Sequence, residues 1–273
     1  MSIITITRGA FSGGEALAER VATMLGYRCY SREVLLEASR RYGIPEAKLT
    51  EILESGPRWW ERWMESLRLY RIALQAAMCE VAQGGDLVYH GHAGHELFPG
   101  IRHVLKVHLT SPMEYRIEQV KSRQGLGDNA ARQYIDHVDK DRTRRLQAVF
   151  GADWRDPLRY DLVLNIGRMT LETAAYLIAE SAKREDYQPT PASQQAFQDL
   201  TVSARVQAAL LVSPITRNLN LNVRADKGVV HVSGMLSHPE LEPEIIRLIE
   251  GIEGVSELVT DFKWLPIVED VYR

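Results

Sequence analysis

Apolar residues over the first 184 positions alternate between strand-like runs and helical periods. Ile3, Ile4 and Ile6 make a short buried strand. After a glycine turn, Leu17, Val21, Met24 and Leu25 form one face of a helix that stops at Gly26. Tyr27 to Tyr30 reads as a second strand, with Ser31 an N-cap for a helix ending near Gly43 and Pro45 opening another short one. The stretch Pro57 to Gln83 is long and periodic, with Trp60, Trp63, Met64, Leu67, Ile72 and Ala76 at helical spacing, and Gly84-Gly85 ends it. Asp86 to His90, Val104 to Leu109 and Leu162 to Ile166 are three further strands. Between the last two, Ser111-Pro112-Met113-Glu114 has the form of a capping box. Gly125-Leu126-Gly127 breaks the helix it starts, and Asp128 caps a longer one running to Phe150. Thr170 caps a helix reaching Lys183. This alternation predicts an α/β fold, a parallel sheet with helices on both faces, over residues 1–184.

The pattern then changes. Residues 185–196, with Pro189, Thr190, Pro191 and Ser193, read as a polar linker. Val202, Val206, Ala209 and Leu210 make a helix face, and Leu219, Leu221 and Val223 alternate as a strand. Asp226-Lys227-Gly228 is a hairpin turn into a returning strand, Val229 to Gly234. Ser237-His238-Pro239-Glu240 is a second capping-box pattern before a helix carrying Ile245, Leu248 and Ile249, and Val255 to Phe262 is a last strand. The order αββαβ predicts a small α+β domain over 197–265, leaving a tail at 266–273.

Composition narrows the functional classes. With a net charge of −3, the chain has no basic field for nucleic acid or an anionic membrane surface. Its two cysteines, Cys29 and Cys79, sit in apolar patterns and read as buried thiols of a reducing compartment. A strand follows Met1-Ser2 directly, without signal-peptide features, and the expected location is cytoplasmic.

Candidate chemistry concentrates around the first turn. A strand, then Gly9-Ala10-Phe11-Ser12-Gly13-Gly14, then a helix is the layout in which backbone N–H groups cradle phosphate, here with Arg8 at the strand end. Gly9 and Gly14 have the spacing of G-x-x-x-x-G-K-[ST], but Glu15 and Ala16 stand where Lys and Ser/Thr belong. Further on, Arg116, Arg123, Arg142 and Arg145 lie on two helices flanking a glycine hinge, with Lys140 among them. They suit either a lid closing over phosphate or an exposed face of alternating charge. His90, His92 and His95 are of metal-ligand type. No cysteine or carboxylate cluster joins them, and the expectation is no metal and a phosphate contact by His92. Trp59, Trp60 and Trp63 read as helix-packing core, with a dimer face or ligand wall as the alternative.

From Ile3 to about Ala182 the chain resembles the cytidylate-kinase-like branch of the P-loop nucleoside monophosphate kinases. The matching residues are Ile4-Thr5-Ile6-Thr7-Arg8 before Ser12-Gly13-Gly14, Leu25-Gly26-Tyr27 with Tyr30 and Arg32, and Val88 to Gly94. They continue through Lys140-Asp141-Arg142, Asp153-Trp154, Asp156-Pro157 and Tyr160 to Asn165. The resemblance implies ATP with Mg²⁺ at Ser12-Gly13-Gly14 and the monophosphate facing Arg32, His92 and Arg116. It also implies Arg142, Arg145 and Lys140 around the transferred phosphoryl. The departures are chemical. Phe11 replaces a family glycine, no loop lysine or magnesium-position Ser/Thr remains, Ser31 replaces an Asp, and His92 replaces an Arg. Weaker ATP affinity or turnover is expected unless Arg8, Lys140 or a lid arginine substitutes.

The second half resembles the BON domain, through Val223, Asp226 and Gly228 to Gly234, and through Gly251-Ile252-Glu253-Gly254-Val255. That resemblance implies a lipid or small-ligand partner and brings no catalytic residues. Three readings follow: a nucleoside monophosphate kinase, a catalytically impaired nucleotide or phosphate sensor with a regulatory BON-like domain, and a scaffold dimerising through Trp59 to Trp63.

Overall fold

A computed structural model of the chain describes residues 2–31, 33–42, 60–91 and 93–264. Arg32, His92, Trp59, the short helix expected from Pro45 and the tail at 266–273 lie outside them, as do the side chains of Trp60 and Trp63. The first sheet has five strands, β1 (Ile3–Arg8), β2 (Arg28–Tyr30), β3 (Leu87–His90), β4 (Val104–Thr110) and β5 (Leu162–Asn165). Their order is β2-β3-β1-β4-β5 and every pairing is parallel. The helices of this part are α1 (Gly14–Leu25), α2 (Glu33–Tyr42), α3 (Trp60–Ala82), α4 (Met113–Gln124), α5 (Asp128–Phe150) and α6 (Leu171–Ala182).

The period-2 alternation of β1 decides which helices lie on which face. Ile4 and Ile6 pack with Val88, Leu105 and Val107 against Leu17 and Val21 of α1 and Ala175 and Ile178 of α6. Ile3 faces the other way, with Leu87, Tyr89 and Val104, against Ala73, Ala77 and Met78 of α3 and against Phe98. Both faces are covered, which is why these strands read as nearly continuous apolar runs.

A second sheet, ordered β6-β7-β8, follows α7 (Pro191–Val212). Here β6 (Leu221–Asp226) and β7 (Val229–Leu236) are antiparallel, and β8 (Glu257–Trp264), reached through α8 (Leu241–Glu250), runs parallel to β7. The turn at Lys227 (φ 50°) and Gly228 (φ 85°) is the two-residue hairpin expected from Asp226-Lys227-Gly228.

Helix α7 belongs to both cores. Its Phe197, Ala204, Ala208 and Leu211 complete the core on the α3 face of the large sheet, while Val202, Val206 and Leu210 pack against Val230, Val232, Ile245 and Ile249 of the small domain. Arg205 on the same helix forms a bidentate pair with Glu80 of α3, at 2.5 and 3.2 Å, and its Nη1 donates to the Glu253 carbonyl. Residues 191–196, expected in a linker, are therefore helical. Pro191 supplies a preset φ at the first helical position, and Thr190 and Ser193 form a reciprocal capping box.

Three expected caps differ. Pro112 takes the N-cap of α4 in an extended conformation (φ −56°, ψ 150°), so Ser111 lies outside the helix and its Oγ is buried without a partner. Gly127 is the N-cap of α5, and Asp128, already helical, pairs with Lys121 at 2.9 Å. Glu240, in helical conformation, is the N-cap of α8, and no side chain caps that helix start. Thr170 caps α6 as expected, accepting from the Thr173 N–H at 3.1 Å.

The shared helix makes a truncation informative. A chain ending at residue 190 should melt below the full chain and self-associate, because it uncovers the apolar surface under Phe197, Ala204, Ala208 and Leu211. A monomeric fragment with an unchanged melting temperature would contradict the shared core.

Candidate phosphate-binding site

Parallel α/β sheets present their ligand crevice beyond the carboxyl ends of the strands, where the connections diverge to opposite sides. Here β1 runs into α1 and lies between β3 and β4, so the crevice is bordered by Arg8, His90 and Thr110 at the ends of those three strands. The turn from Gly9 to Gly13 needs two left-handed residues, Phe11 (φ 59°) and Gly13 (φ 81°), the latter being the N-cap of α1. For Phe11 that conformation costs about 1 kcal/mol or more. Its side chain offsets this by packing on the apolar seam between α4 and α5, with Ile117, Val120, Ala131 and Ile135, and its ring lies 5.8 Å from that of Tyr134. Phe11 thus anchors the turn to the two arginine-bearing helices.

The arginines build the turn. Arg116 is only 9 % exposed; its Nε donates to the Ala10 carbonyl at 2.7 Å and its Nη2 meets Asp139 Oδ2 at 2.5 Å. The other carboxylate oxygen of Asp139 accepts the Ala10 N–H at 3.0 Å. Arg142, 8 % exposed, donates from Nη1 to the Arg8 carbonyl, and its guanidinium lies over the Trp154 ring, 5.6 Å from the centroid. Trp154 is fixed in turn by an Nε1–H bond to Thr143 Oγ1 at 2.9 Å. Burial, with Arg8 beside it and Asp139 opposing, lowers Arg142 to about 10, so it stays charged at neutral pH.

Arg8 differs from these two. Its stem lies over the first turn of α1, so that a Cβ on Gly14 would come within 1.9 Å of Arg8 Cδ. Its Nε is buried without a partner, and burial lowers its pKa while Glu15 opposes the shift. Ser12 Oγ donates to the Gly9 carbonyl and closes the turn. Arg145 is half-buried beside Arg142, whereas Lys140 and Arg123 are exposed on their helices.

Of the three histidines, His92 lies outside the described residues, and His90 and His95 have different partners. His90 faces Arg8, Glu15 and Glu33, and its Nδ1 is buried without a partner. His95 lies against the central strand β1, with Nδ1 2.9 Å from Thr7 Oγ1 and its ring 4.8 Å from that of Tyr160, which also stacks on His108. Among the described residues no group of three or more His, Cys, Asp or Glu is placed to hold a metal ion.

The family model of the cytidylate kinase-like family matches residues 3–168. The chain belongs to the cytidylate kinase-like family. Residues 198–266 match the BON domain. Cytidylate kinase of Methanopyrus kandleri is 26 % identical over 198 residues, covering 67 % of this chain and 96 % of that protein. The enzyme of the same name from Ignicoccus hospitalis is 26 % identical over 185 residues, covering 67 % and 98 %. An uncharacterized protein from Eubacterium ventriosum has the same fold, with a TM-score of 0.52 at 18 % identity over 66 % of this chain and 97 % of its own. No helix among the described residues is long and apolar enough to cross a membrane.

Membership of this kinase-like family implies nucleotide and Mg²⁺ use in general. The residues here fit a phosphate group, because Arg8 has an unused buried donor and the turn is held by further arginines. They do not fit a loop-bound Mg²⁺, since Ala16 or Glu15 occupies the position of the coordinating hydroxyl. Asp139 and Trp154 join the site through contacts that spacing does not show, Trp154 standing in the sequence only as part of the resemblance motif Asp153-Trp154. Asp139 was legible only as part of a charge run, although its i,i+3 spacing to Arg142 puts both on one helix face.

His95 gives the site region a pH signature. Burial first, then the positive charges of Lys106 and Arg159, lower it from 6.5 to about 3, and His90, His103 and His108 are also lowered, each by burial. The unfolded chain therefore takes up protons below pH 6.5 that the folded chain refuses. Stability should be complete above that pH and fall as pH drops toward the folded values, by up to about 1.4 kcal/mol per pH unit for each such histidine. Urea unfolding at stepped pH checks this; His95→Gln should flatten the slope between pH 6 and 4, and an unchanged slope would contradict the assignment.

Proposed function

We propose that the kinase-like domain binds the phosphate of a nucleotide, a nucleoside monophosphate of the cytidylate class, at the turn between β1 and α1. In this reading phosphoryl transfer is far slower than in a kinase with a loop lysine, and the BON domain responds to the bound state. The observation that carries it is Arg8, a half-buried arginine whose buried Nε has no partner, lying across the start of α1. A helix N-terminus already favours an anion, and a guanidinium beside it supplies the charge-assisted donors that a phosphate takes. Arg116 and Arg142 hold the turn in shape through its carbonyls and act as positioning residues, and Arg145 adds to the positive field. The crevice is completed by His90, with Arg32 and His92 expected from the sequence to face the monophosphate. Helix α7, common to both cores, gives the BON domain a rigid connection to the large sheet.

A second reading, phosphoryl transfer from ATP to the monophosphate, is favoured by the same Arg8, whose positive charge stands at the helix start in place of the missing lysine. One set of measurements separates them. Calorimetric titration with CMP, CDP and ATP should give saturable binding that Arg8→Ala weakens by about tenfold or more, the loss of a charged hydrogen-bond donor. Diphosphate formation in the presence of Mg²⁺ should lie at least about 100-fold below that of an ordinary kinase, the scale of losing one charge-stabilising donor. Product formation at an ordinary rate, abolished by Arg8→Ala, supports the transferase instead. Absence of binding by every nucleotide contradicts both.

A further inference from the structure

The carboxylate of Asp139 occupies a position suited to a ligand oxyanion. One oxygen accepts a backbone N–H of the phosphate turn, from Ala10, and the other meets the Arg116 guanidinium. An amide N–H beside a guanidinium is a donor pair that receives two oxygens of one phosphate equally well. Asp139 reaches it from α5, 129 positions further along the chain, so this contact ties a lid helix to the turn. The surroundings are over-supplied with positive charge. Arg8, Arg116 and Arg145 all act on Arg142, against Asp139 alone, and the Nε atoms of Arg8 and Arg142 are both buried without partners.

We infer that Asp139 is a built-in competitor for the phosphate site, a carboxylate that holds α5 on the turn until an oxyanion of the ligand takes its place. The inference rests on the nucleotide-binding reading above and names the regulation of that site. Losing Asp139 without replacement strands a nearly buried guanidinium, so the apo arrangement is closed. Exchange for a phosphate keeps both donors satisfied and adds negative charge where arginines are in excess, so a phosphate ligand can displace the carboxylate while an uncharged one cannot. Released from Ala10, Asp139 no longer ties its part of α5 to the turn, while Phe11 stays seated in the α4–α5 seam, so ligand binding loosens the lid helix locally at Asp139. The α5 pair most open to change is then the contact with Ala10, since Arg142 remains bonded to the Arg8 carbonyl.

The test uses the full chain and inorganic pyrophosphate, a probe with phosphate oxygens and no base. Asp139→Asn keeps the size and an acceptor for Ala10 but removes the charge. It should bind pyrophosphate at least about tenfold more tightly than the unsubstituted protein, because a like charge has been taken from the site. Asp139→Glu, which keeps the charge, should stay near the original affinity. Weaker or equal binding by Asp139→Asn, with nucleotide binding intact, overturns the competitor role and makes Asp139 a permanent brace of the site. Failure of both proteins to bind pyrophosphate or any nucleotide overturns the nucleotide-binding reading as well. Should Asp139→Asn be unfolded in dilute buffer, millimolar pyrophosphate should restore a cooperative melt by supplying the missing anion; a variant that stays unfolded contradicts the inference.

Discussion

The contact between Arg116, Asp139 and the Ala10 peptide is the constraint on which the site depends. It joins three pieces that are far apart in the chain: the first turn, the helix after β4 and the helix after the glycine hinge. Both side chains are largely removed from water, so each needs the other. A guanidinium buried without a carboxylate is costly by several kcal/mol, and the pair is favourable only because its remaining hydrogen-bonding groups are met by the Ala10 carbonyl and N–H. Phe11 adds an apolar anchor from the same turn into the seam between the same two helices. Arg142 and Trp154 then fix the strand end next to it. The turn is consequently a structure made by its surroundings, in contrast to a glycine loop that becomes ordered when phosphate arrives.

That difference accounts for the missing lysine. In a loop of four or five glycines and small residues, a lysine from the helix start can reach the phosphates because nothing else occupies the space. Here the stem of Arg8 crosses Gly14, leaving a Cβ no room there, and its charge stands at the helix start. Positive charge has moved from the helix side of the turn to the strand side. Glu15, exposed in the first turn of α1, complements the helix dipole and moderates Arg8. The scaffold of a cytidylate kinase-like protein is retained, while the turn carries neither a lysine nor a hydroxyl at the start of α1.

Much of the fold was legible because burial on both faces of a parallel sheet leaves an unmistakable run of Ile, Val and Leu at β1, β3 and β4. The hairpin at Lys227-Gly228 was legible because Gly228 meets one of its two successive positive φ angles without strain, between two runs of alternating apolar residues. Caps were less so. Ser111, Asp128 and Ser237 each fit a capping pattern, yet Pro112, Gly127 and Glu240 define the helix starts, because the N-cap is set by backbone conformation before any side chain can accept. Residues 191–196 are helical where a linker is expected, for the opposite reason. Its prolines and hydroxyls are those of a helix start, and Phe197, with a few alanines, gave no clear period until the second core was known. In the site, Arg116 and Arg142, expected on a lid or an exposed face, bond to the Ala10 and Arg8 carbonyls. Which of the arginines touch backbone carbonyls, and that a carboxylate completes the arrangement, depends on contacts across more than a hundred residues that spacing does not encode.

The most direct measurement of the central claim is a double-mutant cycle between Arg116 and Asp139, using Arg116→Met, Asp139→Ala and the combined variant in urea unfolding. If the pair holds the turn to the lid helices, each single change strands its partner, and the double variant should be more stable than the sum of the two losses by at least about 2 kcal/mol. Losses that add within about 0.5 kcal/mol would mean the two side chains are neighbours without being coupled, and the account of the turn would fail.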